Sequence, residues 1–523
     1  MGDLTLTQGY TYTMGDINYS TKIVAIASGD VWYETIAHEM TALTAANNAI
    51  QTGVCVSAVP AFSKVYIVDG TGKFVVDFTN YKLTVPAMAT PPTRGSIITQ
   101  ADSGATMVVD FVDSTKVYIY GFKTAGTYNL TSAITGGGMT SSIPSAATAP
   151  TTPHWYSWTS YAGDTTTYGT MPTYPTLLCM YRGRMVMNDL KNPNVWYMSR
   201  QANPYDWAYG LNDQQSAVAG TDDVLGLIGD IPTCFIPYSD DYMICGCAHK
   251  IEIFRGDPCS GGSLDTFYTA DGIFGPKSYC FDGYGSLYFC GTAGIYKITA
   301  GTTVPVPLTN TRIPKILDGI DRNTHRITMG FDRKRFGLII SILTLSTDTS
   351  VNYWYDLRTD GIFPETYNVG ITAQEFYDSN DSAYTHLIIG SSDGYLRYFK
   401  DDTYSDQSAG DINVAIDSEV VYGPLMIADG DKSKESMLST TAICLGTNTT
   451  NANYDIYVND SAEALVDDLD NAGLISGSFT TGGRQNDIKR RARGKTLAIK
   501  VGNSTQDKTF AVERIDIEVI QGQ

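Results

Sequence analysis

The sequence predicts an all-β chain: an about six-bladed β-propeller with a small inserted β domain and a C-terminal β-sandwich-like domain. The first reason is a hairpin that recurs. Residues 242–254 read YMICGCAHKIEIF, residues 286–298 read SLYFCGTAGIYKI and residues 386–399 read HLIIGSSDGYLRYF. Each is an apolar run, a few turn residues and a second apolar run, the pattern of a β-hairpin. Looser copies occupy residues 65–78 (VYIVDGTGKFVVDF), 184–199 (RMVMNDLKNPNVWYMS) and 338–357, which begins LIIS and ends NYWYDL.

The second reason is spacing. The inner apolar runs start near Met185, Met243, Leu287, Leu338 and Leu387, in steps of 58, 44, 51 and 49 residues. A repeat of roughly 40 to 50 residues in an all-β chain marks propeller blades, each a four-stranded sheet that buries its faces against its neighbours. The third reason is composition: 50 glycines and 35 tyrosines suit strands joined by tight turns.

Taken in order, residues 1–53 read as an N-terminal arm, Thr-, Gly- and Tyr-rich, with a short helix. That helix falls in residues 33–50, where Ile36, Met40, Leu43 and Ile50 share one face and Gly53 closes it. Residues 54–86 form the first blade segment. Residues 87–153 form an inserted small β domain, with strand runs such as ATMVVDFV and KVYIYGF, and a linker, GGGMTSSIPSAATAPTTP. Residues 154–405 supply the remaining blades. Residues 406–523 alternate as strands without the earlier hairpin and read as the sandwich, with a short helix over residues 461–470.

The chain has 55 acidic against 36 basic residues and a net charge of −19. That balance argues against holding nucleic acid by neutralising phosphates, and fits a surface that repels DNA or one charged for solubility. The nine cysteines are odd in number, several sit in apolar strand runs, and none forms a C-x-x-C pair. They read as buried thiols in a reduced compartment. With five scattered histidines, no zinc site is expected. No secretory signal is expected at the N-terminus, and FGLIISIL, residues 336–343, is too short for a membrane span.

Several patterns invite chemistry, and each has a plainer explanation. Residues 390–394, GSSDG, match G-x-S-x-G, yet a strand follows where the nucleophile elbow needs a helix. The pairs Asp222/Asp223, Asp240/Asp241, Asp401/Asp402 and Asp467/Asp468 read as turns, because sequence neighbours on a strand face opposite ways and make no glycosidase pair. Residues 429–435 and 467–473 resemble fragments of calcium loops but lack the glutamate at the twelfth position. The basic cluster Arg484, Lys489, Arg490, Arg491, Arg493 and Lys495 suits a contact with another domain or subunit, or a solvated surface, better than DNA. The aromatic run HWYSWTSYAG, residues 154–163, reads as packing onto the propeller, with sugar stacking as the other option. No catalytic, cofactor-binding or metal-ligating residue is assigned.

Four stretches together resemble a known family. They are RGSIITQADSGATMVVDF with YIYGFKTAGTYNLT, within residues 94–131; YRGRMVM with VWYMSRQANPYDW, within residues 181–207; MICGCAHKIEIFRGDP with GIFGPKSYCFDGYGSLYFCGTAGIYKI, within residues 243–298; and KRRARGKTLAIKVGNSTQDKTFAVERIDIEVIQGQ, residues 489–523. In this order they resemble the β-propeller nozzle proteins that form the lower tail tube of short-tailed bacteriophages. The resemblance implies a structural virion protein at the distal tail, made in the host cytoplasm. Six copies would form a ring below the tail adaptor protein, pass genomic DNA through the channel without sequence-specific binding, and dock tail fibres or spikes. It carries over no catalytic residue and no cofactor, and leaves residues 1–50 unmatched. The alternative from the residues alone is a propeller that binds or cleaves polysaccharide with carboxylates and tyrosines of its central cavity.

Overall fold

The computed structural model describes residues 3–520 except 14–15, 36–37, 212, 222–224, 303, 311, 314, 380, 401–402, 409–411, 428–434, 483–484 and 489. The chain divides into two compact units, residues 1–365 with 370–399, and residues 366–369 with 400–523.

In the first unit, all six expected hairpins form within antiparallel sheets, five of them as the two middle strands and that of residues 386–399 as the last two of three, and the N-terminal residues add one more sheet. Among the described residues the propeller therefore has seven blades. Their first strands are Asp3–Thr13, Ser57–Ala61, Leu178–Tyr181, Pro232–Pro237, Tyr279–Phe281, His325–Asp332 and Ile371–Tyr377. The first six blades have four strands and the seventh three.

Alternation along each middle strand explains the ring. On Lys64–Val68 of blade two, Val65 and Ile67 pack with Val24, Ile26 and Val31 of blade one. Tyr66 and Val68 point the other way, into a core with Leu178, Met185 and Met187 of blade three. In blade four, Met243, Cys245 and Cys247 join blade three's Trp196 and Met198, while Ile244 joins Leu287 and Phe289 of blade five. A strand buried on both faces loses the polar–apolar alternation of a one-sided sheet, which is why these runs look continuously apolar. The ring closes where Ile23 of blade one meets Ala373, Tyr377 and Ile388 of blade seven.

The N-terminal residues depart from the sequence expectation. They form a blade, not an arm, and no α-helix occurs over the described part of residues 33–50. Strand Asp30–Glu34 pairs with Met40–Ala42, and a single 3-10 turn, Thr44–Ala46, follows. Leu43 and Ile50 are indeed buried, but against blades one and two. A short Thr-rich helix is marginal by itself, so strand pairing and packing on the neighbouring blade override the apolar spacing.

Blade two is interrupted. After strand Lys73–Asp77 the chain leaves to build a six-stranded sheet from Tyr81–Thr84 to Ala146–Thr148, then returns as His154–Ser157 to complete the blade beside Lys73–Asp77. The inserted sheet thus begins at Tyr81, ahead of the boundary expected from the prolines.

The second unit carries a two-stranded ribbon, Ser405–Ser408 with Ile412–Ala415, and two larger sheets whose inner faces share a core. Leu438, Ile443 and Leu445 of Ser436–Leu445 meet Ile456 of Ala452–Asn459 and Leu497, Ile499 and Val501 of Thr496–Asn503. This is a β-sandwich. The short helix Ala462–Asp467 is present; the Ser461 hydroxyl caps it, accepting from the Ala464 N–H at 3.2 Å.

Candidate functional site

Two cavities in the propeller unit bear on function. The first lies where the inner strands converge, has a volume of about 350 Å³, and is lined by Ala58, Pro60, Met180, Phe235, Tyr279 and Glu375 among others. Among its described lining residues Glu375 is the one carboxylate. Glycoside hydrolysis of the usual kind needs two carboxyl groups across a scissile bond, and the described lining supplies one. Burial pushes the Tyr279 phenol well above its ordinary value, which leaves it neutral.

The second lies at the seam between blade two and the inserted sheet, beside a buried ionic cluster. Lys64 and Asp77 are cross-strand partners in blade two, and Asp110 belongs to strand Ala105–Val112 of the insertion. The Lys64 ammonium donates to the Asp110 carboxylate and, at 3.0 Å, to the Tyr205 hydroxyl, with Asp77 3.6 Å away. Asp77 accepts from the Asn80 amide at 2.8 Å and the Tyr156 hydroxyl at 3.0 Å. Asp110 accepts from Arg94 at 2.9 Å and from Asn80 at 3.0 Å. Phe111 stacks between Tyr156 and Tyr205, with centroids 5.0 and 4.5 Å away.

Burial opposes both charges, but their mutual attraction wins. For Asp110, burial alone would raise the pKa, yet Lys64, Arg94 and the hydrogen bonds hold it down to about 2. For Lys64, burial alone would lower it, and Asp110 with Asp77 raises it above the ordinary lysine value. Tyr66, Tyr156 and Tyr205 are pushed far up by burial and stay neutral donors. The cluster is a lock: every charge has an opposite partner, and the insertion cannot leave without taking Asp110, the nearer carboxylate, from the buried Lys64.

The sequence patterns find plainer places. GSSDG is a hairpin turn between His386–Ser391 and Leu396–Tyr398, where Asp393 pairs with Arg397 at 2.6 Å. Asp240 and Asp241 lie in a turn that receives Arg182 at 3.0 and 2.7 Å. Asp467 ends the short helix, and Asp468 beside it accepts from Asn459 at 2.8 Å. Asp222/Asp223, Asp401/Asp402, most of residues 429–435, and Arg484 and Lys489 lie outside the described residues. Arg490, Arg491 and Arg493 are exposed on the sandwich. Trp158 and Tyr161 of the aromatic run are buried, and Trp155 stacks on Phe74, so that run packs onto the propeller. Among the described residues no group of three or more His, Cys, Asp or Glu is placed to hold a metal. No helix among the described residues is long and apolar enough to cross a membrane.

Sequence reasoning missed Lys64, Asp77, Arg94 and Asp110. A faint signal existed, since Lys64 and Asp110 interrupt the apolar runs FSKVYIV and MVVDFV. Nothing in the sequence says that the two meet.

No family model matches this chain, and no curated protein matches it. Among solved structures, Hsv2 of Kluyveromyces lactis aligns over 66% of this chain and 94% of its own at 7% identity and a TM-score of 0.25. The extracellular domain of the putative one component system BT4673 from B. thetaiotaomicron aligns over 98% and 72%, at 9% identity and a TM-score of 0.31. A protein from Lactobacillus plantarum aligns over 70% and 96%, at 12% identity and a TM-score of 0.28. The fold assignment stands on this chain's own strand order and shared cores.

Proposed function

We propose that this chain is a non-enzymatic ring subunit, forming with its copies the distal tail tube of a short-tailed bacteriophage. On this reading it continues the channel for genome ejection below the adaptor and gives fibres or spikes a place to dock. The observation that carries it is the mounting of the insertion: a six-stranded sheet interrupts a blade and is fixed to it by buried charge. Such a lock suits a chain whose projections must bear on neighbours in an assembly. The order of elements, with propeller, insertion and sandwich, supports the same reading through the four stretches described above.

The axial cavity, about 350 Å³ and lined largely by apolar side chains, is too small for duplex DNA. The channel therefore runs between copies, and closure of a ring needs one patch of each copy to meet a different patch of the next. The net charge of −19 would then keep a passing phosphate backbone from sticking. The test is electron microscopy of the purified protein, alone and mixed with a candidate adaptor, classified for rotational symmetry. Six-fold rings with an open axial channel are expected; isolated propellers under both conditions would overturn the proposal.

A further inference from the structure

The second cavity has a volume of about 370 Å³ and opens between Phe62 of blade two and Phe122 of the inserted sheet, with Ser63, Asn80, Arg94 and Asp110 below. We propose that it binds a neutral saccharide unit, a hexose or N-acetylhexosamine ring. The size is at the lower end of small-ligand sites, roughly 300–1,000 Å³.

Charge selects against an ion. The two cations, Lys64 and Arg94, are matched by two carboxylates, Asp77 and Asp110, which they already contact. An incoming ion would have to break a buried pair to gain one. What remains open is a mixture of donors and acceptors. Arg94 uses Nε and Nη2 on Asp110, leaving Nη1 without a partner among the described residues. Asn80 spends its amide N–H groups on Asp77 and Asp110, so its carbonyl oxygen is the group left to accept. The Ser63 hydroxyl does either. Sugar hydroxyls likewise both donate and accept, and ask for such a mixture.

The rim supplies the apolar half of the match. Phe62 is 38% exposed and Phe122 62%, two phenyl rings at the mouth of a polar cavity. The C–H face of a pyranose ring stacks on such surfaces. Backbone geometry singles out Phe62 further. Three tight hairpins close with two left-handed residues: Ser28–Gly29 between the second and third strands of blade one, and Phe62–Ser63 and Arg182–Gly183 between the first and second strands of blades two and three. The outer two place glycine second. The middle one has none, with φ of 51° at Phe62 and 57° at Ser63. A bulky residue is held in a conformation that favours Asn or Gly, and its ring stands at the cavity instead of in a core.

The test uses the full chain, saturation-transfer NMR and calorimetry, with neutral oligosaccharides of glucose, galactose and N-acetylhexosamines beside their sulfated or uronic-acid counterparts and an unrelated aromatic peptide. At least one neutral sugar is expected to bind saturably. Phe122→Ala is expected to weaken that binding about tenfold, the effect of losing one aromatic contact. Phe62→Asn should weaken it similarly while raising the melting temperature, because it relieves the turn. A structural role for Phe62 would lower the melting temperature instead, and that outcome would count against the proposal. Absence of saturable binding to every neutral sugar, binding unchanged in both variants, or tighter binding of the anionic sugars or the peptide would overturn it. The inference does not depend on ring assembly: imaging reports on the ring, and sugar titration on the cavity.

Discussion

Two joints of the propeller unit solve the same problem with different chemistry. The insertion is held to blade two by Lys64, Asp77, Asp110 and Arg94, a network of full charges. The ring is closed between blades one and seven by one buried carboxylate, Glu34. It accepts from the Ile23 N–H at 3.0 Å, the Tyr377 hydroxyl at 2.7 Å and His38 Nδ1 at 2.6 Å. Tyr377 also donates to the Thr21 carbonyl at 3.1 Å, and burial together with Glu34 raises its pKa well above the usual phenol value. Around Glu34 lie Ile23, Ala373 and Ile388, a small apolar core. The lesson is about consequences of loss. A buried charge network contributes little net stability against an apolar alternative, but breaking it from one side is costly. A carboxylate held by separate N–H and O–H donors costs only the groups it leaves unpaired.

The difference can be tested in decreasing order of effect. All six tryptophans lie in the propeller unit, so intrinsic fluorescence follows its unfolding separately from the sandwich. Lys64→Met should destabilise that unit most, by about 3–5 kcal/mol in urea titrations, because Asp77 stays fully buried without its amine and half-buried Asp110 keeps only Arg94 as a cation. A loss below 1 kcal/mol would show that the lock is not charged as described.

Asp110→Asn should cost about 2 kcal/mol at neutral pH, the value of holding its pKa at about 2 in place of 3.8. The sign follows from a depressed folded pKa. The contribution is fully present above pH 3.8 and disappears as pH falls toward 2, so wild type and Asp110→Asn should converge in acid. Parallel stability curves down to that pH would refute the assignment.

At the ring closure, Glu34→Leu should cost about 1–3 kcal/mol, for the buried Ile23 N–H left without that acceptor, while the Tyr377 hydroxyl keeps the Thr21 carbonyl. If it exceeds Lys64→Met, the contrast between the joints is reversed. The smallest effect belongs to Asp393→Asn in the outer turn of blade seven. Its bidentate pair with Arg397 is partly exposed, and pairs of that kind contribute under about 1 kcal/mol.

Much of the blade plan was legible because hairpins are local. A strand, a turn and a partner strand lie within about twenty residues or fewer, so alternation and turn residues reveal them without any distant contact. The six hairpins from residue 65 to residue 399 are all of this kind, as is the cap at Ser461. The blade at residues 3–42 was hidden because its middle residues carry spacing that a helix would share, and what decides between helix and strand is the neighbouring blade. The seam was hidden for a stronger reason. Lys64 and Asp110 are 46 residues apart, Lys64 and Tyr205 are 141 apart, and no local rule relates them.

The sequence by itself thus determined the β class, the blade hairpins and the buried character of most cysteines, which the fold keeps as free thiols. Only the tertiary structure decided that residues 3–42 stand between blades two and seven, that His154–Ser157 returns to finish an interrupted blade, and that two phenyl rings from separate sheets flank one cavity. Pairing within a hairpin is set by short-range geometry. Packing between sheets is set by which buried faces remain to be covered, and that is known only when the ring has closed.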